Sequence, residues 1–190
     1  MFGWTQREIV TGAAIGVVFG VIYLAIVQLW LLVQGAIGPL AMDLFIGLWC
    51  TASVVAAYII RKPFAAFFAE VVASIAEIAT GNPAGLILLL TGVVQGAGAE
   101  VAFAATRWKR YDLPVLLASG AGAALFSFVY TWIRFNYGAL SPGLLVAMFA
   151  VRIASGMIFA GLLGRFIARR LQATGALQGL AIETDARIRA

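Results

Sequence analysis

Two carboxylates, Glu70 and Glu77, stand seven residues apart with Ser74 between them, in a chain that is 63% hydrophobic. Seven helical residues turn through about 700°, some 20° short of two full turns, so the three side chains share one stripe spread over roughly 10 Å. An acid at the centre of a bilayer-spanning helix costs about 2.5–3.5 kcal/mol on insertion scales and is normally turned toward a bundle interior or a cavity. The stripe therefore expects a polar or cationic partner away from lipid. Further polar residues lie in other apolar runs: Gln95 and Glu100; Ser127, Tyr130, Arg134 and Tyr137 at i, i+3, i+7 and i+10; Trp132 and Asn136 at i, i+4; and Arg152. Aromatic rings beside acids and an amide suit a flat, cationic, hydrogen-bonding molecule through stacking, cation–π attraction and charge pairing. A planar vitamin-like solute fits this inventory better than a bare ion.

The elements that must position these residues follow from composition. With mean hydropathy +1.02 and 11% charged residues, the chain has the makeup of an integral membrane protein. Its five prolines, at 39, 63, 83, 114 and 142, fall between apolar runs. Six segments result, at Ile9 to Val33, Leu40 to Ile60, Phe64 to Thr80, Ala84 to Thr106, Val115 to Asn136 and Gly143 to Ala168. Their length and unbroken apolarity indicate an all-α protein of six transmembrane helices rather than an alternating barrel. Asn82-Pro83, Asp112 before Leu113-Pro114, and Ser141-Pro142 read as N-caps followed by first-turn prolines. Residues 1–170 form one expected domain, and the polar residues 171–190 a partly disordered tail.

Cytoplasmic loops carry the excess of Lys and Arg. Placing both termini in the cytoplasm puts Arg7, Arg61, Lys62, Arg107, Lys109, Arg110, Arg165, Arg169, Arg170, Arg187 and Arg189, eleven of the 13 basic residues, on that side. The net charge of +5 is thus a topology signal, and no nucleic-acid partner is expected. The first segment is too long for a signal-peptide core and reads as a retained helix. Cys50 stands alone, and with zero histidines the commonest metal ligand and general base are missing. No P-loop, dinucleotide turn, zinc signature or nucleophile–base pair occurs, so neither ATP hydrolysis nor enzymatic catalysis is expected, and no cofactor is implied.

Gly12, Gly16 and Gly20 form a ridge of small residues that lets another helix approach closely. That neighbour is either another helix of the bundle or a partner protein. Six helices in about 190 residues with such a ridge and no ATPase resemble the S component of an energy-coupling factor vitamin importer. Phe68-Ala69-Glu70-Val71-Val72, Gly81-Asn82-Pro83-Ala84-Gly85, Gln95-Gly96-Ala97-Gly98-Ala99-Glu100 and Tyr130 to Tyr137 resemble the YkoE family, linked to thiamine and its hydroxymethylpyrimidine precursor. The resemblance implies a pocket at the extracytoplasmic end formed by Glu77, Asn82 and Gln95, with Glu70, Glu100, Tyr130, Trp132, Arg134 and Asn136 as further candidates. It also implies a multi-pass protein of a prokaryotic cell membrane, docked through Gly12, Gly16 and Gly20 to a transmembrane coupling protein with two cytoplasmic ATPases. Two other readings stay open: a stand-alone proton-coupled transporter relaying protons through Glu70 and Glu100 past Arg152, and a scaffold whose acids are structural.

Overall fold

The computed structural model describes residues 3–183, and among them every regular element is helical. In chain order these are α1 (Gln6–Ile37), α2 (Leu40–Phe45), α3 (Thr51–Ile60), α4 (Ala65–Ala79), α5 (Ile87–Ala105), α6 (Leu113–Arg134), α7 (Pro142–Ser155) and α8 (Gly164–Ala173). A wide-turn π segment, Gly156–Leu163, joins α7 to α8, so Pro142–Ala173 runs as one apolar helix. This helix and α1, α5 and α6 are the four that are long and apolar enough to cross a membrane.

The other two expected spans differ from their sequence outline. Leu40 to Ile60 is broken by a 3-10 turn at Leu48–Cys50. The break begins at Gly47, whose N–H donates to Ser155 Oγ at 3.1 Å and whose carbonyl accepts from Thr51 Oγ1 at 3.0 Å. A side chain at Gly47 would collide with the Ser155 backbone, so only glycine lets the chain bend here against α7. All ten residues of α3 are buried, which puts this short helix at the centre of the bundle. The 15-residue α4 is shorter than the roughly 20 residues of a full span.

The glycine ridge of α1 is filled from within. A Cβ on Gly16 would stand 2.7 Å from Ala69 O and Val72 Cβ, Gly20 meets the Ala73–Glu77 turn in the same way, and Gly12 lies against the side chains of Phe68 and Ile60 at 3.1–3.2 Å. The expected docking face for a partner is therefore the seat of α4, with no room for a second occupant. This close approach turns the Glu70–Ser74–Glu77 stripe inward, because the opposite side of α4 is held against α1. Gly98 against Gly122, and Gly120 against Gly156, bring α5, α6 and the π segment together by the same means.

Thr5 and Glu8 close a capping box at the start of α1, and Ser141 Oγ caps α7 through Leu144 N–H. Asp112 precedes α6 without a side-chain cap. Asn82 does not start a helix as expected. Its Oδ1 accepts from Ala84 N–H at 2.9 Å in a tight turn, and α5 begins only at Ile87. At the other end of the chain, the residues expected as a tail continue α8 to Ala173, and Leu177, Leu180 and Ile182 are buried in the core. Residues 184–190, including Arg187 and Arg189, lie outside the described residues.

Candidate functional site

A cavity of about 360 Å³ opens where α1, α2, α4, α5 and α6 meet at one end of the bundle. That volume falls within the roughly 300–1,000 Å³ of small-molecule sites. The stripe of α4 forms one wall, with Glu70, Ser74 and Glu77 all lining the space. Gly92 of α5 faces Ser74 so closely that a Cβ there would lie 2.5 Å from Ser74 Oγ. Glu77 Oε1 accepts from Asn82 Nδ2 at 2.7 Å, which ties the α4–α5 turn over the mouth of the site. Gln95 Nε2 reaches Ser127 Oγ at 3.5 Å, bridging α5 and α6 on the opposite wall.

Glu70 sits deeper and owes its place to the broken second segment. Thr51 N–H is taken by the carbonyl of Leu48 in the preceding turn, and the next two amides of α3, Ala52 and Ser53, point at polar side chains. Ser53 donates to Glu70 Oε2 through both its backbone N–H at 3.2 Å and its hydroxyl at 2.5 Å. Ala52 N–H donates to the Tyr23 hydroxyl at 3.0 Å. A helix N-terminus thus holds the Glu70 carboxyl group at the cavity floor through hydrogen bonds.

Aromatic residues complete the walls. Trp30 and Trp49 meet edge to face at 6.1 Å, and Trp49 Nε1 donates to Tyr23 O. The buried Trp30 Nε1 has no acceptor among the described residues, which leaves one N–H donor in the lining without a partner. Tyr130 and Arg134 stand at the rim, with the Arg134 guanidinium 5.9 Å from the Tyr130 ring and 4.9 Å from Phe135.

Of the candidates read from sequence, Glu70, Glu77, Asn82, Gln95, Tyr130 and Arg134 line the cavity. Glu100, Trp132 and Asn136 do not. On the regular α5 helix, Glu100 points about 140° away from Gln95. It accepts from the N–H groups of Phe64, Ala66 and Phe67 at 2.8–3.2 Å and from Trp108 Nε1 at 2.6 Å. Glu100 therefore caps the far end of α4, where Phe64 is left-handed and supplies no side-chain cap. Trp132 is 39% exposed on the outer face of α6, packed edge-on against Phe128. Asn136 is the left-handed residue of the turn after α6. Glu100→Gln is expected to lower thermal stability by about 1–2 kcal/mol through loss of charge at the α4 N-terminus. Ligand affinity is expected to stay unchanged, as a titration beside a melting curve would show.

Arg152 is wholly buried and pairs with Asp43 of α2, while its Nη1 donates to Thr131 Oγ1 at 2.7 Å and its guanidinium lies over Phe128. The partner acid was legible as the one charge between Leu40 and Ile60, yet no spacing rule links residues 43 and 152. Tyr23, Trp30 and Trp49 also escaped the sequence reading. The signal for the first two was their i, i+7 spacing on α1, which places them with Val27 on one face.

An all-helical bundle with long apolar spans, holding an acid-floored and aromatic-walled cavity at one end, has the architecture of a membrane solute-binding subunit. A family model described as "ABC-type cobalt transport system, permease component" matches residues 7–126. A Bacillus subtilis (strain 168) protein with the provisional name HMP/thiamine permease protein YkoE is 43% identical over 182 residues, 96% of this chain and 92% of that one. A crystal structure of an S-component of an ECF transporter shares the fold with a TM-score of 0.96 at 42% identity, over 98% of this chain and 95% of that chain. The chain belongs to the YkoE-like S components of energy-coupling factor transporters. It is a membrane transport subunit, not an enzyme.

Proposed function

We propose that the chain is the substrate-binding subunit of an ATP-driven importer and that its cavity takes thiamine or the hydroxymethylpyrimidine precursor. The observation that carries this reading is the cavity itself, in which two carboxylates, an amide pair and an unpartnered indole N–H lie among aromatic rings. An aminopyrimidine offers donors to Glu77 and Asn82 and ring nitrogens to a donor such as Trp30 Nε1. A thiazolium is a permanent cation and suits Glu70 with the faces of Trp49 and Tyr130. Arg152 is committed to Asp43, which leaves Arg134 as the cation of the lining and favours an unphosphorylated ligand over its phosphate ester.

In this reading the six apolar segments all lie within the membrane with both termini cytoplasmic. The broken second segment and the short fourth helix are shielded by the four long spans, since irregular backbone is tolerated at membrane depth where protein buries it or it lines a cavity. A transmembrane coupling protein and two cytoplasmic ATPases supply the energy that this sequence has no motif to harvest. What weighs against the proton-relay alternative is that Glu100 is engaged at the α4 N-terminus and Arg152 by Asp43.

Calorimetric titration of the detergent-purified chain with thiamine and with hydroxymethylpyrimidine tests the assignment. Saturable binding of either is expected. A well-folded protein that takes up neither would remove the substrate assignment.

A further inference from the structure

A second cleft, of about 650 Å³, lies at the end of the bundle opposite the solute cavity. Chain direction fixes this placement: α3 and α5 start at the cavity and run away from it, and α6 starts at the far end and returns. Arg61 follows α3, Lys109 and Arg110 lie between α5 and α6, and Arg165 and Arg169 stand one turn apart on α8. A positive-inside signal requires only that such cations lie in loops and near helix ends. It does not require them to converge on one concavity around Tyr58 and Tyr111, where like charges repel.

Among the described residues, the acids do not neutralise the group. Asp112 is the one carboxylate of the described lining, and it is held by Arg110 at 2.7 Å. Arg61 is engaged by the Tyr58 and Tyr111 rings, at 5.3 and 5.5 Å, and donates to Tyr58 O. Lys109, Arg165 and Arg169 form no ion pair among the described residues, although Arg165 and Arg169 both interact with the Tyr58 hydroxyl. The Tyr111 hydroxyl oxygen is buried without a hydrogen-bond partner, and burial together with Glu100 pushes its ionisation up, so it remains a neutral donor. Guanidinium forks, an ammonium and a phenol converging on one space match the several acceptor oxygens of a phosphate. Basic pockets between helices at a membrane surface take anionic head groups by the same chemistry.

We propose that this cleft is a binding site for a phosphate-ester anion, held chiefly by Arg165, Arg169 and Lys109 with the Tyr111 hydroxyl as a further donor. The ester could belong to an anionic lipid or to a soluble phosphate, and the test separates the two.

The delipidated full chain is titrated with phosphatidylglycerol, phosphatidylcholine and inorganic pyrophosphate, with occupancy read by native mass spectrometry. Wild type is expected to prefer phosphatidylglycerol over phosphatidylcholine, and an Arg165→Gln/Arg169→Gln variant to bind it roughly thirtyfold more weakly. An Arg165→Lys/Arg169→Lys variant reports on folding and should retain most of the preference. Displacement of the lipid by pyrophosphate would assign the site to soluble phosphates, and resistance to it would assign the site to lipid. Equal binding by wild type and the Gln variant, no preference between the two lipids, or loss of the preference on removing residues 184–190 with Arg187 and Arg189 would each overturn the site. Thiamine titration of the same variants reads the other end of the bundle independently.

Discussion

Arg152→Met is expected to destabilise the bundle by about 3–5 kcal/mol, because it strands Asp43 as an uncompensated charge in the interior. Both side chains are 0% exposed, so the remaining carboxylate has no water to turn to. The pair is also imperfect: Asp43 Oδ2 and Arg152 Nη2 are buried with no hydrogen-bond partner among the described residues. Replacing both members by apolar residues of similar volume is for that reason expected to be close to neutral. Thermal unfolding in detergent should place wild type and Asp43→Leu/Arg152→Met together, with the single variant well below them. A single variant as stable as wild type would show that the ion pair does not hold α2 to α7. The pair reaches the cavity too, since Asp43 fixes α2, and Met42 and Ile46 line the space. Solute affinity should fall in the single variant even under conditions where it stays folded.

Glu77→Gln tests the site directly. The substitution keeps the volume and leaves an amide that can still meet Asn82, but it removes the charge that a cationic or donor-rich ligand would use. Hydrogen bonds to charged groups contribute about 1.5–3 kcal/mol, so thiamine should bind roughly tenfold to 150-fold more weakly. Calorimetry on wild type, Glu77→Gln and Glu100→Gln gives the comparison. The first substitution should weaken binding and the second leave it alone, because Glu100 faces the other end of α4. Unchanged affinity in Glu77→Gln would move the recognition site away from the α4–α5 turn.

The α4 stripe shows how far the sequence carries. Glu70, Ser74 and Glu77 share a face by helical geometry alone, and the cost of placing acids in lipid dictates that this face points inward. Gly12, Gly16 and Gly20 likewise announced a close helix contact, but the spacing does not say whose helix fills it, and α4 of the same chain does. Glu100 could be read as a buried acid and nothing more. Its role as the cap of α4 depends on Phe64 being left-handed 36 residues earlier in the chain, which no local pattern records.

By itself the sequence determined that the chain is helical and apolar enough for a bilayer, which residues share each helix face, and which charges must be turned away from lipid. Periodicity and hydropathy are properties of neighbouring residues and survive without any knowledge of the fold. Only the tertiary structure decided that Leu40 to Ile60 breaks at Gly47 so that the α3 N-terminus meets Glu70, that Arg152 answers Asp43, and that Tyr23, Trp30 and Trp49 wall the cavity. These pairings join residues up to 109 positions apart. They are set by how closely small residues let helix backbones approach, a distance that no single segment encodes.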